Sequence, residues 1–165
     1  MPLRIATLSD LKTLQSWDKK QHVIETTGGD ATFDWEYELP RIVSWREFLI
    51  FEERERSIGF VQIIDPKEEE TTHYWGEEEA NLKAIDIWIG EEMDLGCGYG
   101  TKMMQEALQR CFKLTKIKSV LIDPLVSNAR AIRFYERFGF KPIARRMFGE
   151  DDCIVLRLER DDFVL

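Results

Sequence analysis

Cysteine and histidine are scarce in this 165-residue chain, which has three of the first and two of the second. Cys97, Cys111 and Cys153 are odd in number and scattered, and no C-x-x-C pair occurs. Neither a disulfide framework nor a thiolate metal site is therefore expected. His22 and His73 lie far apart without a ligand spacing, which argues against a zinc or haem centre. Long apolar runs are missing too: the longest are strand-sized, and none would span a bilayer. Met1-Pro2-Leu3-Arg4-Ile5-Ala6 lacks the apolar segment of a secretion signal, so a cytoplasmic location is the expectation. A basic excess is also absent. Net charge is −8, with a pI near 4.9, whereas nucleic-acid binding needs a basic stripe to neutralise phosphates. Such acidity suits a cationic small molecule or a basic protein segment, and it equally suits plain solubility.

No repeat, low-complexity tract or linker divides the chain, and its length suits one domain, residues 1–165, around one core. Leu3–Ala6 reads as a first strand. Ser9 can cap a helix over Asp10–Trp17, where Leu11, Leu14 and Trp17 share a face. Thr26 to Asp30 breaks that pattern, and a second helix is expected over Phe33–Val43, kinked near Pro40. Glu47–Phe51 and Ile58–Ile64 form a hairpin around Arg54-Glu55-Arg56-Ser57. Asp65–Leu82 reads as a long loop, of a length often tied to function. In Ala84–Ile89, period two sets Ile85, Ile87 and Ile89 on one strand face and Asp86 and Trp88 on the other. A helix over Thr101–Phe112, a strand at Ser119–Ile122 and a helix over Asn128–Phe138 follow. Ser127 is the expected cap of that last helix and Gly139 its end. Ile143–Phe148 and Cys153–Arg160 close the chain as a hairpin. The order β-α-α-β-β-β-α-β-α-β-β predicts an α/β fold with a central mixed sheet flanked by helices.

The stretch Leu95-Gly96-Cys97-Gly98-Tyr99-Gly100-Thr101 links a strand to an amphipathic helix. Glycines let a ligand approach the backbone closely, and N–H groups at a helix start favour an anion such as a pyrophosphate. From the glycines alone, a strand–helix turn without ligand fits as well. A P-loop would need Gly-Lys-Ser/Thr, and a dinucleotide fingerprint would need G-x-G-x-x-G near the first strand. Neither is present.

The glycine spacing resembles the phosphate-binding motif of the GNAT acetyltransferase superfamily, with Leu95 where the family has Gln or Arg. A second stretch, Asn128-x-x-Ala131-x-x-x-Tyr135-x-x-x-Gly139-Phe140, resembles the family's next motif. This resemblance implies acetyl-CoA as cofactor, held by the backbone of Ile87, Trp88 and Ile89, by Gly96, Cys97, Gly98, Gly100 and Thr101, and by Asn128, Ala131 and Tyr135. It implies a strand over Ile85–Ile89 that diverges from Ser119–Ile122 and offers N–H groups to the pantetheine arm and the acetyl carbonyl. Lys102, Arg130 or Arg133 could neutralise phosphates, or serve as ordinary surface charges. Tyr135 would protonate the departing thiolate; read without the motif, it is one more core aromatic of a helix. Asp86 would act as base toward the amine, although a strand aspartate can also simply face solvent.

Ala84–Gly90, Ile122-Asp123-Pro124, Ser127–Arg133 and Val23-Ile24-Glu25-x-x-Gly28-Gly29 narrow the likeness to aminoglycoside 6'-N-acetyltransferases. So does Tyr74-Trp75-Gly76-Glu77-Glu78-Glu79. In that group the residue matching Asp123 contacts the drug and the aromatic-acidic loop lines the pocket. Tyr74, Trp75, Asp86 and Asp123 are thus the substrate-side candidates, with Trp75 packing on a sugar face. Thr26-Thr27 replaces a tryptophan pair of that group, and Thr72 and His73 stand where an acid is expected. Other acceptors stay open: a siderophore hydroxylysine, which Asp86 disfavours, a polyamine, or a protein N-terminus. A non-catalytic acetyl-CoA-binding module is a further alternative. No metal or membrane contact is expected, and the chain is read as a monomer or homodimer.

Overall fold

The computed structural model describes residues 2–27, 33–69, 75 and 78–164. Among them, seven strands form one sheet: β1 (Leu3–Ile5), β2 (Arg46–Glu53), β3 (Arg56–Ile64), β4 (Leu82–Ile89), β5 (Ser119–Ile122), β6 (Lys141–Phe148) and β7 (Asp151–Glu159). Their order is β1-β2-β3-β4-β5-β7-β6. All neighbours are antiparallel except β4 and β5, which run parallel. The parallel pair needs a crossover, supplied by α4 (Tyr99–Lys113).

Strands β2 and β3 are covered on both faces, which is why they read as continuous apolar runs rather than alternating ones. Leu49, Phe51, Val61 and Ile63 pack with Met103, Met104, Ala107 and Leu108 of α4. The residues between them, Phe48, Ile50 and Phe60, face the opposite side. There they meet α1 (Leu11–Asp18), α2 (Gln21–Thr27) and α3 (Trp35–Glu38) through Leu14, Trp17, Val23 and Trp35. Strand β4 obeys the expected alternation. Ile85, Ile87 and Ile89 lie in the α4 layer, and Trp88 in the α1–α3 layer. Helix α5 (Ala129–Arg137) joins the α4 side through Ala131, Phe134 and Tyr135.

The expected element order is the observed one, with three differences. The helix expected over Phe33–Val43 is only the four residues Trp35–Glu38. Asp34 starts it by accepting the Tyr37 N–H; Leu39 keeps helical backbone, but Pro40 has no N–H with which to continue the ladder. Helix α2 was not expected, because Gln21–Thr27 carries no apolar period and ends in two β-branched threonines. Their hydroxyls donate back to the carbonyls of His22 (2.8 Å) and Val23 (3.0 Å), so the helix itself absorbs them. The caps also differ. Asn128, not Ser127, caps α5 by accepting the Ala131 N–H at 3.1 Å, and a short turn at Leu8–Asp10 precedes α1 where Ser9 was expected as its cap. Gly139 ends α5 as expected, with φ 101°.

Candidate active site

The glycine loop hangs between two fixed points. Asp94, nearly fully buried, accepts two hydrogen bonds of 2.7 Å from the Arg56 guanidinium, tying the start of the loop to β3. At the other end, α4 begins at Tyr99, with Lys102 N–H bonding the Gly98 carbonyl. The N–H groups of Tyr99, Gly100 and Thr101 therefore precede the first helical bond and have no acceptor within the helix. Gly96 and Gly98 hold φ of +71° and +84°, which L side chains rarely adopt, and a Cβ added at either would meet no atom within 4 Å. This is a shallow cradle of N–H groups at a helix start, the geometry that takes a phosphate. Cys97 is exposed on the loop, its thiol 3.6 Å from the Met93 and Leu95 carbonyls. Nearby, Lys102 is already paired with Glu53 at 2.7 Å.

Just before this loop the sheet splits. Strands β4 and β5 pair only over Leu82–Ala84 and Ser119–Leu121, whereas β4 runs on to Ile89 against β3. Gly90 N–H bonds Ile58 O at 2.9 Å, which fixes the alternation of the ladder. Trp88 faces Phe60 as a hydrogen-bonded pair, and Ile87 and Ile89 turn their N–H and C=O toward the split. Those two residues hence offer backbone to the cleft. The expectation that Trp88 does so is corrected: its backbone belongs to the β3 ladder, and only its side chain reaches the site. His22 of α2 approaches the same edge, its Nε2 2.9 Å from Ile89 O.

A cavity of about 280 Å³ opens at the split. It reaches both sides of the sheet, since Tyr135 of α5 lines it along with Thr26, Thr27 and Phe33. Among the described residues, Glu69, Asp86, Asp123 and Asp151 also line it, against one guanidinium, that of Arg46. Arg46 is itself ion-paired with Glu38 at 2.6 Å and lies over the Phe48 ring. The cavity is accordingly acidic and aromatic-walled.

Asp86 and Tyr135 both face this space. Burial pushes the Asp86 carboxyl above the usual carboxylate range, while a 2.6 Å hydrogen bond from Gln62 Nε2 pulls the other way. A carboxylate so raised is a better base than a solvated one. Burial, and then the charges of Asp86 and Asp123, push the Tyr135 phenol above its ordinary value, so it stays protonated and able to donate. A base, an acid and free N–H groups around one cavity suit acyl transfer to an amine.

The other expected residues are spread unevenly around this centre. Asp123 lines the cavity beside Pro124 and Leu125, in a segment pinned to β7 by Ile154 N–H on Pro124 O (3.0 Å). The Asn128 side chain caps α5 through its oxygen, leaving its amide nitrogen for other partners. Trp75 is 3% exposed and packs edge-on against Phe148 at 5.4 Å. An open sugar-facing ring is thus not what the structure places at 75; the indole belongs to a small core cluster with Leu82 and Leu121. Tyr74 lies outside the described residues. Residues of the cavity wall that the sequence did not single out include Gln62, Trp45, Arg46, Glu69 and Asp151 and the Trp88 side chain. Gln62 had a signal, being the one polar residue inside the run Ile58–Ile64.

Residues 6–148 match the family described as the acetyltransferase (GNAT) domain. Aminoglycoside N(6')-acetyltransferase type 1 of Klebsiella pneumoniae is 30% identical over 149 residues, spanning 84% of this chain and 73% of that protein. Spermine/spermidine N(1)-acetyltransferase of Bacillus subtilis (strain 168) is 31% identical over 74 residues, 45% of this chain and 49% of that protein. The crystal structure of aminoglycoside acetyltransferase AAC(6')-Ib with coenzyme A is similar throughout. Its TM-score is 0.85 at 25% identity, covering 97% of this chain and 95% of that one.

Proposed function

Because the chain belongs to the acetyltransferase (GNAT) domain family, we propose that it acetylates the 6'-amine of an aminoglycoside from acetyl-CoA, by direct attack with both substrates bound. The observation that carries this reading is the Asp86 carboxylate in an acid-rich, aromatic-walled cavity at the split between β4 and β5. The 30% identical relative from Klebsiella pneumoniae supports the choice of acceptor. The residues present fit the cofactor: Gly96 and Gly98 hold left-handed backbone with open space beside them, just before the first N–H groups of α4.

Acetyl-CoA supplies the activated acyl group as a thioester. Asp86 takes a proton from the incoming ammonium, and its raised affinity for that proton matches the task. One outward N–H, that of Ile87 or of Ile89, holds the carbonyl oxygen as it gains charge. Tyr135 holds its phenolic proton for the departing sulfur. Asp123 offers a second carboxylate to a polycation. No helix among the described residues is long and apolar enough to cross a membrane, and we assign the enzyme to the cytoplasm.

The test is release of free thiol from acetyl-CoA with kanamycin- and tobramycin-type drugs, spermidine, hydroxylysine and a peptide as acceptors. Turnover on the drugs that collapses in Asp86→Asn is the expected result. Turnover confined to spermidine would discard the drug and favour the polyamine reading, to which the shorter match to the Bacillus subtilis enzyme points. Absence of acetyl-CoA binding would overturn the whole proposal.

A further inference from the structure

Gln62 is the one polar residue in the run Ile58–Ile64 of β3, and only 4% of it is exposed. A buried amide costs stability unless it is hydrogen-bonded, so a glutamine here needs a partner. The partner stands across the ladder. Gln62 and Asp86 are directly opposite in the antiparallel register of β3 and β4, and so share a face. Gln62 Nε2 donates to Asp86 Oδ2 at 2.6 Å. The next pair along that face, Phe60 and Trp88, packs ring against ring with centroids 4.5 Å apart. Gln62 and Asp86 both line the acceptor cavity, and Asp86 retains accessible surface.

From this pairing we propose that Gln62 is a positioning residue for the base, fixing the Asp86 carboxylate by one oxygen so that the other meets the acceptor amine. The inference rests on the reading of Asp86 as the base. A carboxylate bonded through Oδ2 cannot turn about its Cβ–Cγ bond without giving up that donor. Misplacing a reacting group by about 1 Å costs about 10²-fold in rate. An amide also suits the chemistry better than a charge would. A guanidinium or ammonium in its place would orient the carboxylate but lower its proton affinity by about 1–3 pH units, making it a poorer base. The neutral donor orients Asp86 and leaves it basic. Other titratable groups reach the cavity from separate elements: Tyr135 of α5, Asp123 beyond β5, Asp151 and Cys153 of β7, Glu69 beyond β3 and Arg46 of β2. Among the described residues, the side-chain hydrogen bond to Asp86 comes from Gln62, while Arg46 is ion-paired with Glu38.

The test is a double-mutant cycle on kcat/KM for a kanamycin-type drug at saturating acetyl-CoA, with Gln62→Leu, Asp86→Asn and the two combined. Gln62→Leu removes the N–H at similar volume and should lower kcat/KM about 10- to 150-fold, the worth of one hydrogen bond to a charged group. Acetyl-CoA affinity, read by calorimetry, should hold. In the Asp86→Asn background the same change should cost almost nothing, because its route to the amine is gone. The pH profile gives a second reading, with the drug's own titration common to both proteins. Losing a donor to the ionised form moves the acidic limb to higher pH by about 1–2 pH units. Gln62→Glu keeps the shape and should move that limb the same way, since adjacent carboxylates resist ionising together. Rate and limb unchanged in both Gln62 variants overturn the role of Gln62 and leave the aminoglycoside reading standing. Losses that multiply in the combined variant do the same. Asp86→Asn at the wild-type rate overturns both, as does a wild type that turns over no drug.

Discussion

Replacing Gly98 by alanine separates two costs that usually travel together. At φ +84° the added methyl forces an L side chain into left-handed backbone, yet it meets no protein atom within 4 Å. The folded protein consequently suffers only the conformational penalty, about 1 kcal/mol, partly offset because alanine is stiffer than glycine in the unfolded chain. For a chain of this size that lowers Tm by about 2–4 °C. The same methyl is added at the residue that precedes the first N–H groups of α4, on the loop proposed to take the phosphates. Losing one charge-assisted hydrogen bond there is worth about 1.5–3 kcal/mol, which weakens acetyl-CoA binding about 10- to 150-fold. Calorimetric titration with acetyl-CoA gives the second number and thermal melting the first. Ligand also raises Tm by mass action, so the melting shift on adding acetyl-CoA should shrink in the variant. Gly59→Ala is the control, since its Cβ would stand 2.5 Å from Met103 Cε. It should lose stability while acetyl-CoA affinity holds in the molecules that stay folded. An affinity unchanged in Gly98→Ala, with Tm lowered as stated, would refute the assignment of the loop to the pyrophosphate.

Asp86→Asn should lower kcat/KM by about 10²- to 10⁴-fold, the range for a general base, and at the same time raise Tm at neutral pH. Burial holds the Asp86 carboxyl above its unfolded value, so the folded state binds its proton more tightly. Ionising it costs stability as pH rises from the ordinary carboxylate value through the folded one; melts across that window should show the variant's advantage growing toward neutrality. Tyr135→Phe should reduce kcat about 10- to 100-fold, less than a full general acid, because a thiolate leaves readily near its pKa of about 8.5. Steady-state kinetics with saturating amine would show it, and an unchanged kcat would return Tyr135 to the core. Gly90→Ala places a Cβ 1.9 Å from the Trp17 indole and should cost about 1–3 kcal/mol by overpacking. That is a fall in Tm of about 2–12 °C, accompanied by a change in tryptophan fluorescence.

The parts of the fold legible in the sequence are those where one local signal acts alone. Strand β4 shows its two faces as a period of two, and β5 shows as the short apolar run Ser119–Ile122. Helix α1 shows its stripe as Leu11, Leu14 and Trp17. Helices α2 and α3 are harder, because their apolar residues meet the sheet singly, through Val23 and Trp35, so no regular stripe marks where each begins or ends. Trp35 illustrates the difficulty: its indole N–H bonds Asp18 at 2.6 Å, a contact across 17 residues that no local pattern announces.

The candidate site divides along the same line. Its cofactor half is a local motif, glycines at fixed spacing before a helix, and the structure assembles it from consecutive residues. Its acceptor half is assembled from far apart: Thr26, Gln62, Asp86, Asp123 and Tyr135 meet only because β4 and β5 separate after Ala84. What parts them is visible once the register is known. Strand β5 ends at Ile122, and the segment beyond it turns to β7, where Leu125 bridges Cys153 and Val126 N–H bonds Asp152 O at 2.8 Å. Strand β4 stays locked to β3 as far as Ile89. Each strand is held to its outer neighbour, and the sheet opens between them. A cavity made this way has a backbone wall that belongs to the fold and a side-chain wall drawn from every layer. The first follows from the register of β3, β4 and β5; the second, Gln62 and Trp88 included, is drawn from residues that only the finished fold brings together.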